Sequence, residues 1–364
     1  MTNSKNLIFL ISQPRSGSTL TQKLLGAHSK IYTRSEPWAM LYPLYRMKES
    51  GYNAEYGAQT SRRGFNTFLE GLPGKKEFYN EKLRQMYLSL YEAYLTNDTE
   101  FFLDKTTRYY LILDELQELF TDAKLIYLIR NPLAVLSSIL ISWPEQVEND
   151  LSIYKTDLID AIDIACKTIS QTKKNIFILH YENLIKETEV TLKQICAHLD
   201  ILFEKQMIHD YLNATEKFEL GDQLGIYQKE GIDNENDEKW TTELSNEKHW
   251  KLLYGYLNYI GREKFMTLGY DFDRTTEIFR QYCPHDTLSD GTEEYQAFEK
   301  LLQPTSASVN AVTFENAIDS YQREINQKNK IIDNQKEVIK NLRSNIAHLT
   351  TPLVYKILKK LHII

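Results

Sequence analysis

The stretch LIFLISQPRSGSTLTQKLLGAHSKIYTRSE, from Leu7 to Glu36, decides the fold of this chain. Its first five residues, Leu7 to Ile11, are apolar, which is too short a run for a membrane span and about right for a buried strand. A small polar loop from Gln13 to Thr19 follows, and then an amphipathic helical pattern. A strand, a tight loop and a helix in succession direct backbone N–H groups and a helix N-terminus at one place. The stretch therefore predicts an anion site of the phosphate type.

Length, charge and cysteine content limit the class of protein. A chain of 364 residues with 42% hydrophobic residues predicts a core domain with an appendage. The net charge of −7 argues against a nucleic-acid partner. Cys166, Cys196 and Cys283 form no C-x-x-C pair, so we expect a reducing compartment and no structural zinc, and the histidines have no ligand spacing such as HExxH. With neither a signal-peptide pattern nor a long apolar run, the expected location is the cytoplasm.

Three further apolar runs predict strands, at Phe101 to Thr106, Lys124 to Arg130 and Asn175 to His180. Helical patterns separate them, including one from Leu111 to Phe120. Strands of continuous apolar character, alternating with helices, are typical of a parallel sheet that is covered on both faces. The predicted fold class is therefore α/β, a mainly parallel sheet flanked by helices.

The C-terminal part of the chain has a heptad period. A heptad seam runs in steps of four and three from Phe314 to Leu349, with Ile at every a position between Ile318 and Ile346 and with Lys328 and Gln335 in the otherwise apolar d row. This seam predicts a C-terminal coiled-coil helix and a parallel homodimer, although a lone helix folded back on the domain is an alternative. Residues 350–364 form a basic amphipathic pattern that suits either an anionic membrane surface or a neighbouring chain. The predicted parts are 1–275 (the catalytic domain), 276–312 (a connector), 313–349 (the coiled coil) and 350–364 (the terminal helix).

The loop after the first strand lacks the common nucleotide-binding fingerprints. The motif GxxxxGK[ST] requires a leading Gly and a Lys before its Ser or Thr, but Ser12 lies five residues before Gly17 and Ser18 follows that glycine. The dinucleotide fingerprint GxGxxG is absent as well. The loop's cation, Arg15, precedes the glycine. A short loop with a leading cation suits a dianion that is held by backbone N–H groups.

Two segments resemble the sulfotransferases that use 3′-phosphoadenosine 5′-phosphosulfate (PAPS). QPRSGSTL, ending at Leu20, is similar to that family's 5′-phosphosulfate loop. LIYLIRNP, with Ser138 eight residues after Arg130, is similar to the element that holds the 3′-phosphate of PAPS. The resemblance covers about residues 6–275 and includes Lys239-Trp240, which is similar to tyrosylprotein sulfotransferases and their bacterial relatives. It implies the P-loop-like sulfotransferase fold, PAPS as donor, no metal, and these binding residues: Arg15, Ser16, Gly17, Ser18, Thr19, Leu20, Arg130, Ser138, Lys239 and Trp240.

The resemblance also implies three catalytic residues. Transfer of a sulfuryl group to a hydroxyl needs a base for the acceptor proton and cations for the leaving phosphate. Glu36, at the position of the family's catalytic glutamate and close to Trp38, is the predicted general base. Arg15 and Lys105 are predicted to stabilise charge on the sulfuryl and bridging oxygens. A solvated surface position is the alternative for Glu36 and Lys105, and an amphipathic surface pair is the alternative for Lys239-Trp240.

The sequence therefore predicts a PAPS-dependent sulfotransferase whose acceptor is a hydroxyl of a glycan or of a small hydroxylated metabolite. One alternative is a P-loop nucleotide kinase, against which the missing GK[ST] argues. Another is a catalytically inactive scaffold whose coiled coil carries the function. The terminal helix suggests a peripheral position at the inner membrane face, where a lipid-linked glycan is assembled.

Overall fold

The computed structural model describes most of the N-terminal part of the chain and short pieces of the C-terminal part. The described residues are 4–48, 57–147, 150–171, 174–212, 238–283, 290–303, 332, 335–336, 339–340 and 354–361. The chain divides into two compact units, Met1–Gln303 and Pro304–Ile364. The strands are β1 (Leu7–Ser12), β2 (Ile31–Ser35), β3 (Phe101–Lys105), β4 (Lys124–Ile129) and β5 (Ile176–His180).

Helices surround these strands in the first unit. The first seven are α1 (Ser18–Gly26), α2 (Leu41–Tyr45), α3 (Ala58–Glu70), α4 (Lys75–Glu92), α5 (Leu113–Leu119), α6 (Pro132–Ser142) and α7 (Pro144–Val147). The others are α8 (Ala161–Gln171), α9 (Tyr181–Lys186), α10 (Thr188–Leu199), α11 (Gln206–His209), α12 (Glu247–Thr267), α13 (Phe272–Gln281) and α14 (Thr292–Leu301). A π-helical turn at Thr156–Asp160 precedes α8.

The strands form one parallel sheet in the order β2-β3-β1-β4-β5. All six residues of the central strand β1 are buried. Leu7, Phe9 and Ile11 belong to the core on one face of the sheet, whereas Ile8 and Leu10 belong to the core on the other face. Because successive side chains of a strand point to opposite faces, a strand covered on both sides must be apolar throughout. The predicted α/β fold class is confirmed.

The sheet topology collects polar loops at one edge. β1 lies at the centre of the sheet, with β3 and β2 on one side and β4 and β5 on the other. The connections on the two sides of β1 therefore diverge, and this leaves a crevice at the carboxyl ends of the strands. The loop after β1, the residues after β2 and the ends of β3 and β4 all lie at this edge. Ser35 pairs with Lys105 in the β2–β3 register, which places the ends of these two strands side by side.

The region after β3 differs from the helix predicted from Leu111 to Phe120. A 3₁₀ helix at Thr107–Ile112 comes first, and α5 then covers Leu113–Leu119. Two tyrosine hydroxyls anchor the 3₁₀ helix: Tyr109 donates to Asp104 (3.0 Å) and Tyr110 donates to Asp157 (2.6 Å). The first of these hydrogen bonds spans five residues and the second spans 47, and both hold the tighter turn in place.

Asp104 is the centre of a buried polar network in β3. Its Oδ2 accepts hydrogen bonds from the hydroxyls of Tyr91 in α4 (2.8 Å) and Tyr109 (3.0 Å), and its Oδ1 accepts one from Thr106 (2.8 Å). The backbone N–H of Met40 donates to the Tyr109 hydroxyl (3.0 Å). Burial raises the pKa of Asp104 to about 6, although the three donated hydrogen bonds oppose this shift. The network ties β3 to α4 and to the segment that follows β2.

Helix α14 packs closely on α12, although its residues lie in the predicted connector 276–312. The rings of Tyr256 and Phe298 are stacked with centroids 5.0 Å apart. Gly255 allows this approach, because a Cβ at that position would lie 2.3 Å from the carbonyl oxygen of Glu294. The helix therefore belongs to the compact unit that ends at Gln303.

Little of the C-terminal prediction falls within the described residues. Of the heptad seam from Phe314 to Leu349, the structure describes only residues 332, 335–336 and 339–340. Residues 219–237 of the long acidic loop also lie outside the described residues. Ile332 and Ile339 are helical and about half exposed. Residues 354–360 are also helical, and the boundaries of the coiled coil and terminal helix stay predictions. Within the described ranges, none of the helices combines the length and the apolar composition that a membrane crossing requires.

A methyl group at position 255 should separate α12 from α14. We expect Gly255→Ala to lower the free energy of unfolding by about 1–3 kcal/mol, the usual cost of overpacking. Gly64→Ala in α3 is the matched control, because a Cβ there has no atom within 4 Å. It should leave stability unchanged or raise it by up to about 1 kcal/mol, as Ala is the better helix former. Urea unfolding measures both, and equal stability of Gly255→Ala and the native chain would contradict the packing described.

The Asp104 network makes stability depend on pH. The carboxyl has a pKa of 3.8 when free and about 6 when folded, so the native state keeps a proton that the unfolded chain releases. The contribution of this retained proton to the free energy of unfolding is complete below the pKa of the free carboxyl, and it is lost as the pH rises through the pKa of the folded one. Relative to Asp104→Asn, the native chain should lose about 3 kcal/mol between roughly pH 4 and pH 7. Tyr91→Phe, which removes a hydrogen bond that lowers this pKa, should move the loss to higher pH. Urea unfolding curves at a series of pH values test this, and parallel stabilities of the native chain and Asp104→Asn contradict it.

Candidate active site

The loop after β1 makes a left-handed turn into α1. Arg15 and Gly17 have φ values of +68° and +90°. Glycine is required at position 17, since a Cβ would lie 2.3 Å from the Tyr181 ring. Ser16 is fully buried, and its Oγ has no hydrogen-bond partner among the described residues. A buried hydroxyl without an acceptor, in a loop at the N-terminus of a nine-residue helix, fits an oxygen of a bound phosphate or sulfate.

The other predicted loop residues form the first turn of α1. The N–H of Thr21 donates to the carbonyl oxygen of Gly17 at 3.1 Å, so the N–H groups of Ser18, Thr19 and Leu20 precede the first intrahelical hydrogen bond. The side chain of Leu20 packs in the core on one face of the sheet. Its contribution to an anion site is therefore limited to its backbone N–H.

Arg15 contacts helix α6, which follows β4. Its Nε donates to Ser138 Oγ at 3.1 Å and its Nη2 donates to Ser142 Oγ at 3.3 Å. The guanidinium carbon lies 5.7 Å from the centre of the Trp143 ring. The structure thus brings together Arg15 and Ser138, residues that the sequence pattern placed in different phosphate subsites.

Arg130 follows β4 and lies against the same loop. Its Nη1 donates to the carbonyl oxygen of Arg15 at 3.0 Å, and its guanidinium lies 4.5 Å from the centre of the Tyr181 ring. Within the part of the chain that the structure describes, Arg130 makes no hydrogen bond to Ser138, its predicted partner. The two residues are nevertheless linked, because each contacts Arg15. Arg130 also fixes the loop against the start of α9.

Glu36 and Lys105 form an ion pair at the ends of β2 and β3. Lys105 Nζ donates to Glu36 Oε1 at 2.9 Å, with Lys105 fully buried and the Glu36 side chain 18% exposed. The backbone N–H of Glu36 donates to the carbonyl oxygen of Lys105 at 2.6 Å. Glu36 and Trp38 have positive φ values of 49° and 53°, a strained conformation that is typical of functional sites. Glu36 Oε2 has no hydrogen-bond partner among the described residues and is open to a further donor.

The sequence patterns missed a second ion pair at this edge. Arg108 donates from Nε and Nη2 to the two carboxylate oxygens of Asp157, at 2.9 and 2.6 Å. The hydroxyl of Tyr110 also donates to Asp157. The guanidinium lies 5.6 Å from the centre of the Trp38 ring. The hydrogen bonds to Asp157 raise the pKa of Arg108, and the charge of Glu36 adds to this shift. The one available signal was a basic residue three positions after Lys105.

Lys239 and Trp240 begin a 3₁₀ helix at Lys239–Ser245. Trp240 is buried, with its ring centre 5.6 Å from that of Phe279, and it borders a cleft of about 420 Å³. In that cleft, Glu182 accepts hydrogen bonds from the backbone N–H of Asn131 and from the Tyr270 hydroxyl, both at 3.0 Å. Burial, followed by the charge of Glu182, holds the pKa of Tyr270 well above its usual value. The role of Lys239 over a phosphate stays a prediction.

The described residues contain no group of three or more His, Cys, Asp or Glu side chains that is placed to hold a metal ion. Cys166, Cys196 and Cys283 are all free thiols.

Comparisons with known proteins identify the family. Residues 7–205 match the family model described as "Sulfotransferase family". Nodulation protein NoeE of Sinorhizobium fredii (strain NBRC 101917 / NGR234) is 24% identical over 294 residues, which cover 73% of this chain and 66% of NoeE. The sulfotransferase domain of the Synechococcus PCC 7002 olefin synthase is 24% identical over 65% of this chain and 88% of that one, with a TM-score of 0.44. Mouse sulfotransferase SULT7A1, solved in complex with PAP, is 14% identical over 86% of this chain and 90% of that one, with a TM-score of 0.35. The family match covers more than half of the chain and confirms the predicted resemblance: this protein belongs to the sulfotransferase family.

Proposed function

We propose that this protein transfers a sulfuryl group from PAPS to an acceptor hydroxyl, with Glu36 as the general base. The observation that carries this proposal is the ion pair between Glu36 and the fully buried Lys105, next to the loop after β1. One carboxylate oxygen is held by the lysine, and Oε2 is open among the described residues. The site therefore offers a proton acceptor and a cation at one place, as this chemistry requires.

The loop and helix α6 are the proposed donor site. The buried Ser16 hydroxyl, the first N–H groups of α1 and Arg15 would hold the 5′-phosphosulfate. Arg130 and Ser138 would hold the 3′-phosphate, which their common contact with Arg15 supports. The N–H groups and guanidinium groups supply charge-assisted hydrogen bonds to anionic oxygens without a metal. Lys239 and Trp240 are the remaining residues of the proposed donor site, and Trp240 lines the same cleft as Asn131, the residue after Arg130.

The proposed reaction exchanges one sulfur–oxygen bond for another. The acceptor oxygen forms a bond to sulfur as the bond from sulfur to the 5′-phosphate oxygen breaks, and the electron pair of that bond leaves with 3′-phosphoadenosine 5′-phosphate (PAP). Glu36 Oε2 takes the acceptor proton and later releases it to water. Lys105 and Arg15 stabilise the negative charge that develops on the bridging and sulfuryl oxygens. The proposed acceptor is a hydroxyl of a glycan or of a small hydroxylated metabolite.

The proposal predicts that Glu36→Gln keeps nucleotide binding and loses sulfuryl transfer. PAP should raise the Tm of both the native chain and the variant, by linkage equivalent to about 2.7 kcal/mol at 100 times Kd, and ATP should do far less. Transfer from PAPS to a panel of hydroxyl acceptors, followed by mass spectrometry, should fall by roughly 10²- to 10⁴-fold in the variant.

Glu100→Gln is the matched control, because Glu100 forms an exposed ion pair with Lys30 at 2.7 Å. This variant should retain full transfer. The proposal fails if PAP produces no Tm shift, or if Glu36→Gln transfers sulfuryl groups at the native rate.

We further propose that the C-terminal region forms a homodimeric coiled coil. Ile332 and Ile339, two a positions of the predicted seam, are helical and about half exposed in the single chain, which supports a partner helix. Residues 354–360 expose Val354 and Ile357 beside lysines, and contact with an anionic membrane surface stays a prediction for this segment. The three free cysteines support the proposed cytoplasmic location.

Charged residues in the seam should prevent dimer formation. The full-length chain should sediment as a dimer, and the double variant Ile332→Asp/Ile339→Asp should sediment as a monomer, because both copies would bury carboxylates in the interface. Lys340→Ser, at a b position outside the seam, should remain dimeric. Analytical ultracentrifugation measures this, and a monomeric native chain or a dimeric double variant would overturn the coiled-coil proposal.

A further inference from the structure

We propose that Arg108 determines acceptor specificity by binding an oxyanion group, a carboxylate or a phosphate, of the acceptor molecule. This inference rests on the proposed function, because it concerns the compound whose hydroxyl faces Glu36. The observation behind it is a guanidinium that is anchored on one edge, lies 5.6 Å from the centre of the Trp38 ring and is within electrostatic reach of Glu36.

The position of Arg108 follows from the same strand pairing that forms the base. Glu36 and Trp38 follow β2, whereas Lys105 ends β3 and Arg108 lies in the first turn of the 3₁₀ helix beyond it. The pairing of Ser35 with Lys105 brings the two segments together. We therefore expect an acceptor whose hydroxyl meets Glu36 to lie close to the Trp38 and Arg108 side chains.

One edge of the Arg108 guanidinium is used by the protein, and another is open. Nε and one hydrogen of Nη2 donate to Asp157, which is 5% exposed and also accepts from Tyr110. The second hydrogen of Nη2 and those of Nη1 have no acceptor among the described residues. The Arg108 side chain is 39% exposed, so this second edge is accessible. Two parallel N–H groups on one edge match the two oxygens of a carboxylate or phosphate.

The ion pair with Asp157 holds the Arg108 guanidinium in an orientation that suits binding of a second oxyanion. Asp157 fixes one edge and Trp38 supports the face, so binding a second oxyanion would cost little side-chain entropy. What distinguishes Arg108 is its position beside Glu36. Arg262 also donates from both Nη atoms to an aspartate, Asp273, and lies 5.0 Å from the Phe272 ring centre, but it stands on α12.

The test uses pairs of acceptors that differ by one charged group. Methyl β-D-glucuronide is compared with its primary amide, 4-hydroxyphenylacetate with its amide, and glucose 6-phosphate with 6-deoxyglucose, all at saturating PAPS. In the native enzyme, the charged member of at least one pair should have the higher kcat/KM. The two carboxylate pairs and the phosphate pair show which oxyanion the site selects.

Variants of Arg108 then assign any preference to this side chain. Arg108→Gln should lower kcat/KM for the charged acceptor by roughly 10- to 100-fold, mainly through KM, since a hydrogen-bonded ion pair is lost. It should leave kcat/KM for the neutral acceptor and the KM for PAPS unchanged. Arg108→Lys keeps a cation beside Asp157 without the second edge, so it should lose most of the preference and keep the native Tm. This second variant provides the test if Arg108→Gln does not fold.

Arg262→Gln is the matched control and should retain the native preference. Three results would overturn the proposal: transfer to no charged acceptor of the panel, equal or better transfer to the neutral members, or a charge preference that survives Arg108→Gln and Arg108→Lys. A Tm shift with PAP, together with transfer to neutral acceptors, would then show that the proposed sulfotransferase activity stands while this inference fails. Absence of the PAP shift would instead remove the proposed function.

Discussion

The pairing of the end of β2 with the end of β3 is the constraint on which the candidate site depends. It places the Glu36 carboxylate 2.9 Å from Lys105 Nζ, and the adjoining backbone hydrogen bond closes the corner. A fully buried ammonium group is strongly unfavourable without an anionic partner, so Lys105 constrains Glu36 as much as Glu36 stabilises Lys105. The positive φ of Glu36 is the local strain that this arrangement tolerates. The geometry of the proposed base is therefore built into the sheet and is not left to a surface loop.

The same strand carries a second buried charge-bearing residue. Asp104 and Lys105 are adjacent, so their side chains leave β3 on opposite faces, and each meets its own set of partners. Asp104 accepts three hydroxyl hydrogen bonds that extend to α4 and to the backbone of Met40. These contacts hold the segment after β2 at Met40, and the ion pair with Lys105 holds the same segment at Glu36. Two buried polar residues in one strand lower the free energy of unfolding relative to an apolar strand. In return, both residues hold the segment that carries Glu36.

The donor side of the site was far more readable from the sequence than the acceptor side. The loop from Gln13 to Leu20 and the segment around Arg130 are continuous motifs, and the strands around them follow from unbroken apolar runs. The bond between Arg15 and Ser138 joins residues 123 positions apart, and no local pattern indicates it. The same holds for the hydrogen bonds of Arg108 and Tyr110 to Asp157, which lies 49 and 47 positions further along the chain. Such contacts arise only when the sheet order brings separate loops to one edge.

This difference has a physical origin in what each half of the site must recognise. A phosphate or sulfate is bound by a helix N-terminus and a few adjacent N–H groups, which one short stretch of chain supplies. We propose that the acceptor is bound, in contrast, by side chains that stand on different elements: the residues after β2, the 3₁₀ helix after β3 and the turn before α8. Arg108, Asp157 and Trp38 come from these three places, and their arrangement depends on the β2–β3 pairing that also creates the base. In the proposed reaction, the strand pairing therefore links the chemical step to the choice of acceptor, because a change that moves Glu36 also moves the cation beside it.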